Sequence, residues 1–184
     1  MFERLSQIGK KLNENQILWA VGASILLVQH GLVDAPNDID IFVSLQDIDK
    51  ADLILQSMGQ KKAREKTDDY KTQYFYEYRI QSVDVDVMAG LAIRHDSGVF
   101  EYIFDQQSIT QTFVINDVEI PFTSLEDWYV LYQLIPGREG KVKLIEDYLA
   151  ARGIQHPDLL EKALTGNLPK SIRGRILRLM SLLR

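Results

Sequence analysis

The stretch Leu18 to Val43, LWAVGASILLVQHGLVDAPNDIDIFV, constrains the fold more than any other, together with an echo of its last part at Val83 to Met88, VDVDVM. The apolar run LWAV enters a small-residue turn, Gly22-Ala23-Ser24, and leaves through ILLV, one face of a short helix ending at Gly31. After the loop DAPN, Asp38 and Asp40 alternate with Ile39 and Ile41. Residues two apart on a strand share a face, so the two Asp side chains project together while the isoleucines enter the core. Asp84 and Asp86, set between Val83, Val85 and Val87, repeat the pattern. As neighbours, the two strands would crowd four carboxylates onto one surface with no Lys or Arg among them. Like charges facing each other across a sheet are destabilising. One divalent cation, or a pair, removes the repulsion and gives the pattern a reason.

The turn at Gly22, Ala23 and Ser24 sits where a strand passes into a helix. Unpaired backbone N–H groups and the helix dipole favour phosphate at such a position, and Ser24 adds a hydroxyl donor. A Gly-small-Ser turn, a short helix, Asp-x-Asp on a strand and a further Asp on a later strand together resemble the minimal nucleotidyltransferase fold. That superfamily includes enzymes that adenylylate aminoglycoside or lincosamide antibiotics, and toxin-type nucleotidyltransferases. The spacing from Ser24 to Asp38 suits the family pattern.

The resemblance implies an α/β (α+β) fold, a mixed β-sheet core flanked by helices with a C-terminal helical tail. It assigns the turn to the triphosphate of a nucleotide, with Gly more usual where Ala23 stands. Ala allows close backbone approach provided that no positive φ is required. The catalytic and metal-binding carboxylates would be Asp38, Asp40 and Asp86; Asp84 is the alternative to Asp86, which resembles the family's third Asp more closely because Val-Met-Ala-Gly follows it. The segment GREGKVKL resembles the Gly-Arg-x-x-Lys stretch after the sheet, so Arg138, Lys141 and Lys143 are candidates for facing the triphosphate or for holding the tail against the core. Family members often carry a lysine in the preceding helix, and LEDWYVLYQL has none. The implied cofactor is Mg2+ or Mn2+, and the implied partners are a nucleoside triphosphate and a hydroxyl acceptor of small-molecule, RNA or protein class.

Composition narrows the alternatives. With 184 residues, 46% hydrophobic and 26% charged, the chain suits one compact domain with a helical appendage. A net charge of −5 argues against a surface built mainly for nucleic acid. The absence of cysteine excludes disulfides, thiolate metal sites and cysteine nucleophiles. No apolar run approaches the length of a membrane span, and the first residues lack a signal-peptide core, so a cytoplasmic setting is expected.

The remaining elements follow from periodicity. Phe2, Leu5, Ile8 and Leu12 define an amphipathic helix. The first strand is expected over 16–21 and the acidic strand over 38–43. Ser44 is a candidate cap for the next helix. His30 is expected to cap or pack rather than to bind a ligand. The charge run QKKAREKTDD, with Lys61, Lys62, Arg64 and Lys66, reads as a solvent-facing strand or loop. Gln73 to Ile80 reads as an aromatic strand in a hairpin with the second acidic strand. Further strands are expected at 99–104, 109–115 and 118–122, with Asn116-Asp117 as a turn. Thr123-Ser124 opens a helix-only region, giving units of 1–122 and 123–184. In the last helix, Ile172, Ile176, Leu179, Leu182 and Leu183 form an apolar face suited to core packing or a homodimer contact, and its arginines form a solvated one. Two functional readings follow: a metal-dependent nucleotidyltransferase releasing pyrophosphate, or a catalytically silent nucleotide-binding, regulatory or toxin–antitoxin protein of the same fold.

Overall fold

The computed structural model describes residues 1–63 and 71–181. Helix α1 (Phe2–Glu14) leads to strand β1 (Trp19–Val21), helix α2 (Ala23–Gln29), strand β2 (Ile39–Val43), helix α3 (Ile48–Met58) and strand β3 (Gln60–Lys61). Strands β4 (Tyr74–Ile80), β5 (Val83–Ala89), β6 (Leu91–His95), β7 (Gly98–Tyr102), β8 (Gln111–Ile115) and β9 (Val118–Phe122) follow. Helices α4 (Leu125–Leu134), α5 (Glu139–Arg152), α6 (Pro157–Thr165) and α7 (Lys170–Ser181) complete the described chain.

Seven strands form one mixed sheet in the order β3-β4-β5-β2-β1-β9-β8, and β6 and β7 make a separate hairpin. The two acidic strands are neighbours: β2 runs parallel to β5, with Ile39 beside Val85 and Asp40 beside Asp86. Strict alternation then sorts the faces. Ile39, Ile41, Val85 and Val87 are fully buried, on the face opposite the acids. On that same side Tyr78 of β4 reaches α3, where its hydroxyl bonds Asp52. Trp19 of β1 donates from Nε1 to Asn13 Oδ1 of α1 at 2.9 Å. The acid-bearing face is covered by α4 and the β6–β7 hairpin, because Phe42, two residues beyond Asp40, packs on Tyr102, Phe104 and Trp128. Burying a ring of this size contributes roughly 1.5–3 kcal/mol, so the face ends in a firm apolar floor beside the acids.

Several sequence expectations need correction. The first strand begins at Trp19 rather than Gln16, because Gln16 has a φ of 57° and the N–H groups of Gln16 and Ile17 bond back to Asn13 and Leu12 of α1. Backbone committed to a helix end cannot also join the sheet. Ser44 does not cap α3: its hydroxyl donates to Asp47 Oδ2 at 2.8 Å in a preceding turn, and the helix starts at Ile48. Strand β6 was unforeseen, since Leu-Ala-Ile-Arg-His has neither alternation nor strong strand formers at every position. Of the charge run, Gln60 and Lys61 form β3, while Arg64 and Lys66 lie outside the described residues, as do Leu182 and Leu183 of the terminal apolar face. Asn116 and Asp117 both take positive φ, at 48° and 61°, as a two-residue hairpin turn between twisted strands demands. Among the described residues no helix is long and apolar enough to cross a membrane.

Candidate active site

The site forms where the ends of β1, β2 and β5 meet α4 and the start of α5. Backbone pairing sets its floor: the Gly22 N–H donates to the Asp40 carbonyl at 3.1 Å, locking the small-residue turn beside the acidic strand. Gly22 is required by close approach, since a Cβ there would lie 2.2 Å from Trp128 Nε1. That indole N–H donates instead to Thr123 Oγ1 at 2.9 Å. Ala23 has a φ of 47°, in the left-handed region where a Cβ costs about 1–2 kcal/mol. The condition under which Ala would be equivalent to Gly at this turn is therefore not met. Ser24 is buried, and its Oγ accepts the Asn37 N–H at 3.2 Å and lies 3.4 Å from the Asp38 carbonyl oxygen. The hydroxyl thus ties α2 to the segment that carries the first acid.

Ligand oxygens of Asp38, Asp40 and Asp86 all lie within 4.8 Å of one another. They line a cavity of about 300 Å³ together with Ala23, Asn37, Trp128, Tyr132, Arg138 and Lys141. Of the candidates named from sequence, the fold brings Ala23, Asp38, Asp40, Asp86, Arg138 and Lys141 into this cavity, whereas Gly22 and Ser24 do not line it. Lys143 is elsewhere, pairing with Asp147 one helical turn on. His30 closes α2, and its ring sits edge-on to Tyr148 with centroids 5.3 Å apart.

The expectation of four carboxylates without a cation among them is corrected. Asp84 is paired with Lys62 and Arg79, which hold its carboxyl below the ordinary range. Asp86 is the acid of β5 that joins Asp38 and Asp40. Asp40 experiences the opposite environment from Asp84: burial first, then the charges of Asp38 and Asp86, push its pKa well above the usual carboxylate value, with Lys141 opposing. Burial also lowers the pKa of Lys141, helped by Arg138 and opposed by Asp40 and Asp38. The Lys141 ammonium lies 3.4 Å from the Tyr132 hydroxyl. Among the described residues the three convergent carboxylates have no nitrogen or sulfur ligand beside them, and such a donor set suits a hard divalent cation such as Mg2+ or Mn2+.

Periodicity did not identify Phe75, Trp128 and Tyr132 as cavity residues. For Phe75 the signal was available: it pairs with Met88, which shares the face of Asp86 on β5. By the same register Glu77 stands directly opposite Asp86, extending the acidic row onto β4. For Trp128 and Tyr132 no local signal exists, because their roles depend on how α4 crosses the sheet.

No family model and no curated protein sequence matches the chain. Solved structures do. A candidate nucleotidyltransferase from Thermotoga maritima superimposes with a TM-score of 0.59 at 25% identity, over 82% of this chain and 92% of that one. ANT(2'')-Ia, solved in complex with adenylyl-2''-tobramycin, gives 0.58 at 15% identity over 96% and 97% of the two chains. The lincomycin-bound lincosamide antibiotic adenylyltransferase LnuA gives 0.51 at 15% identity over 78% and 95%. With its mixed seven-stranded sheet, its flanking helices and these neighbours, the protein has the minimal nucleotidyltransferase fold.

Proposed function

We propose that the protein is a metal-dependent nucleotidyltransferase that moves a nucleoside monophosphate from a nucleoside triphosphate to an acceptor hydroxyl, releasing pyrophosphate. The observation that carries this reading is the convergence of Asp38, Asp40 and Asp86 within 4.8 Å, in a cavity that Arg138 and Lys141 also line. Three acids alone would repel a triphosphate. Acids that hold a divalent cation, set beside two basic side chains, would attract one.

Asp38 and Asp40 would hold the cation and Asp86 would complete its oxygen ligands. A bound Mg2+ or Mn2+ would supply positive charge to the phosphoryl oxygens. In the reaction, an acceptor hydroxyl oxygen forms a bond to the α-phosphorus while the bond from that phosphorus to the pyrophosphate oxygen breaks. Asp86, at the β4 side of the cluster, is the residue assigned to take the hydroxyl proton. Arg138 and Lys141 neutralise the leaving phosphates, and the backbone N–H of Ala23, the residue of the turn that lines the cavity, adds a neutral donor. Residues 123–184 are assigned as the helical subdomain that shapes the acceptor side, with Tyr132 and Phe75 available to pack on rings.

A second reading, a nucleotide-binding protein without turnover, is favoured by two observations: α4 carries no lysine, and the Ser24 hydroxyl is engaged with Asn37. Pyrophosphate release separates the two. The protein is incubated with each of the four nucleoside triphosphates and Mg2+ or Mn2+, over a panel of hydroxylated small molecules, RNA and its own chain as acceptors. Metal-dependent release abolished by Asp86→Asn supports the enzyme. Nucleotide binding without release under every condition supports the silent protein.

A further inference from the structure

A second cavity, of about 270 Å³, lies between the β6–β7 hairpin and helices α4 and α6. Its walls are largely apolar, with Phe100, Val130, Leu131, Leu159 and Ala163 among them, yet Asp127 opens onto it. Leu131 also lines the triad cavity, so the two spaces occupy adjacent faces of α4. Asp127 and Val130 face one; Trp128 and Tyr132 face the other.

Asp127 is 8% exposed. Its helix-capping role is discharged by the backbone, whose N–H donates to Ser124 Oγ at 2.9 Å. The carboxylate accepts a hydrogen bond from the Tyr102 hydroxyl at 2.8 Å, and among the described residues no Lys, Arg or His makes an ion pair with it. Lys162 lines the same cavity, but its ammonium is paired with Asp105 at 3.0 Å. Hydrogen bonds from Tyr102 and Ser124 and the charge of Lys162 favour the ionised form but do not outweigh its burial. Burying a carboxylate without a directly paired cation is costly where an apolar residue of similar size would pack at no such cost. A second acid, Glu101, lines the same space, which disfavours an anionic occupant.

We propose that this cavity binds a small organic cation, an ammonium group on an apolar body of about one ring, with Asp127 as its counter-charge. The apolar walls take the body and the buried carboxylate takes the ammonium, which is the usual division of labour in a small-molecule site. Burial pushes Asp127 up to about 7, and a cation bound beside it would favour the ionised form. The site stands independently of nucleotidyl transfer.

The test is calorimetric titration of the full chain with phenethylammonium chloride, and with phenethyl alcohol and phenylacetate as neutral and anionic counterparts. Three proteins are compared: wild type, Asp127→Asn, which keeps the shape and a hydrogen-bond acceptor, and Ala163→Leu, which fills the cavity and leaves the charge. The ammonium is expected to bind wild type at least tenfold more tightly than the alcohol, with phenylacetate weakest. Asp127→Asn should bring the ammonium down to the level of the alcohol, and Ala163→Leu should weaken both. Equal affinity of ammonium and alcohol for wild type overturns the proposal, as does binding of neither. So does an ammonium preference that survives Asp127→Asn, or ammonium binding unaffected by Ala163→Leu, which keeps the test decisive if the Asn variant fails to fold.

Discussion

Replacing Gly22 by alanine tests how the turn positions the site. The added Cβ would lie 2.2 Å from Trp128 Nε1 and 2.6 Å from both Cε2 and Cζ2, distances that no rotamer change of the methyl can relieve. Either the indole or the turn must move. Overpacking of this kind costs about 1–3 kcal/mol. Moving the indole also breaks its 2.9 Å hydrogen bond to Thr123 Oγ1, leaving buried polar groups that cost about 1–3 kcal/mol if unsatisfied. The sum is roughly 2–6 kcal/mol, and a loss near 3 kcal/mol would lower the midpoint of thermal unfolding by roughly 6–12 °C in a chain of this size. Chemical denaturation gives the free energy. The indole N–H resonances give the mechanism: of the two tryptophans, Trp128 should shift while Trp19, held by Asn13, should not. A loss below about 1 kcal/mol with an unmoved Trp128 signal would refute the close-approach reasoning.

Ala23→Gly should be close to neutral in stability, because relief of the left-handed strain, about 1–2 kcal/mol, offsets the entropic penalty of Gly, about 0.5–1 kcal/mol, and the lost methyl; Ala51→Gly in α3, with no strain to relieve, should cost about 1 kcal/mol or more by denaturant titration. Asp40→Asn should stabilise the metal-free protein at neutral pH. Since the folded-state pKa of Asp40 is raised, its contribution is fully present below the unfolded value near 3.8 and is lost as pH rises through the folded one. The stability difference between variant and wild type should therefore grow with pH over that window; a difference that is flat or shrinks with rising pH contradicts the assigned environment. Asp86→Asn and Asp84→Asn form a contrasting pair: the first should abolish metal-dependent nucleotide binding, while the second, which removes a solvent-facing partner of Lys62 and Arg79, should change it less than about threefold. Equal effects of the two in the same titration would undo the assignment of Asp86.

Legibility in the sequence followed the range of the interactions. The acidic alternation on β2 and β5 and the apolar faces beneath it are local, period-two features, and they were readable. Their parallel register, Asp40 beside Asp86, joins distant segments and could only be supposed. Asp84 is an instructive case, because its pairing was within reach. The two-residue turn Gln81-Ser82 sets Ile80 opposite Val83 and hence Arg79 opposite Asp84. Counting that register forward would have separated Asp84 from Asp86 without coordinates. It would also have placed Glu77 opposite Asp86 and Phe75 on the site face. By contrast, the left-handed backbone of Ala23 was marked only by the resemblance, which puts Gly at that position, since Ala by itself is an ordinary helix-starting residue. The reason for Gly22 lies in Trp128, on a helix that follows the last strand of the sheet. The burial of Asp127 was equally hidden: acids in the first turn of a helix are normally dipole-favoured and solvated, and the strand expected at 99–104 gave no sign that Tyr102 would pack over this one.

The central claim is that Asp38, Asp40 and Asp86 form the metal-dependent nucleotide site. It is tested most directly by calorimetric binding of each of the four nucleoside triphosphates, with and without Mg2+ or Mn2+, to wild type and to Asp40→Asn. Binding of at least one triphosphate that needs the cation and disappears in Asp40→Asn, while the variant remains folded, is the predicted result. Binding that is indifferent to the cation and to the substitution, or no binding of any triphosphate to the wild type, would contradict it.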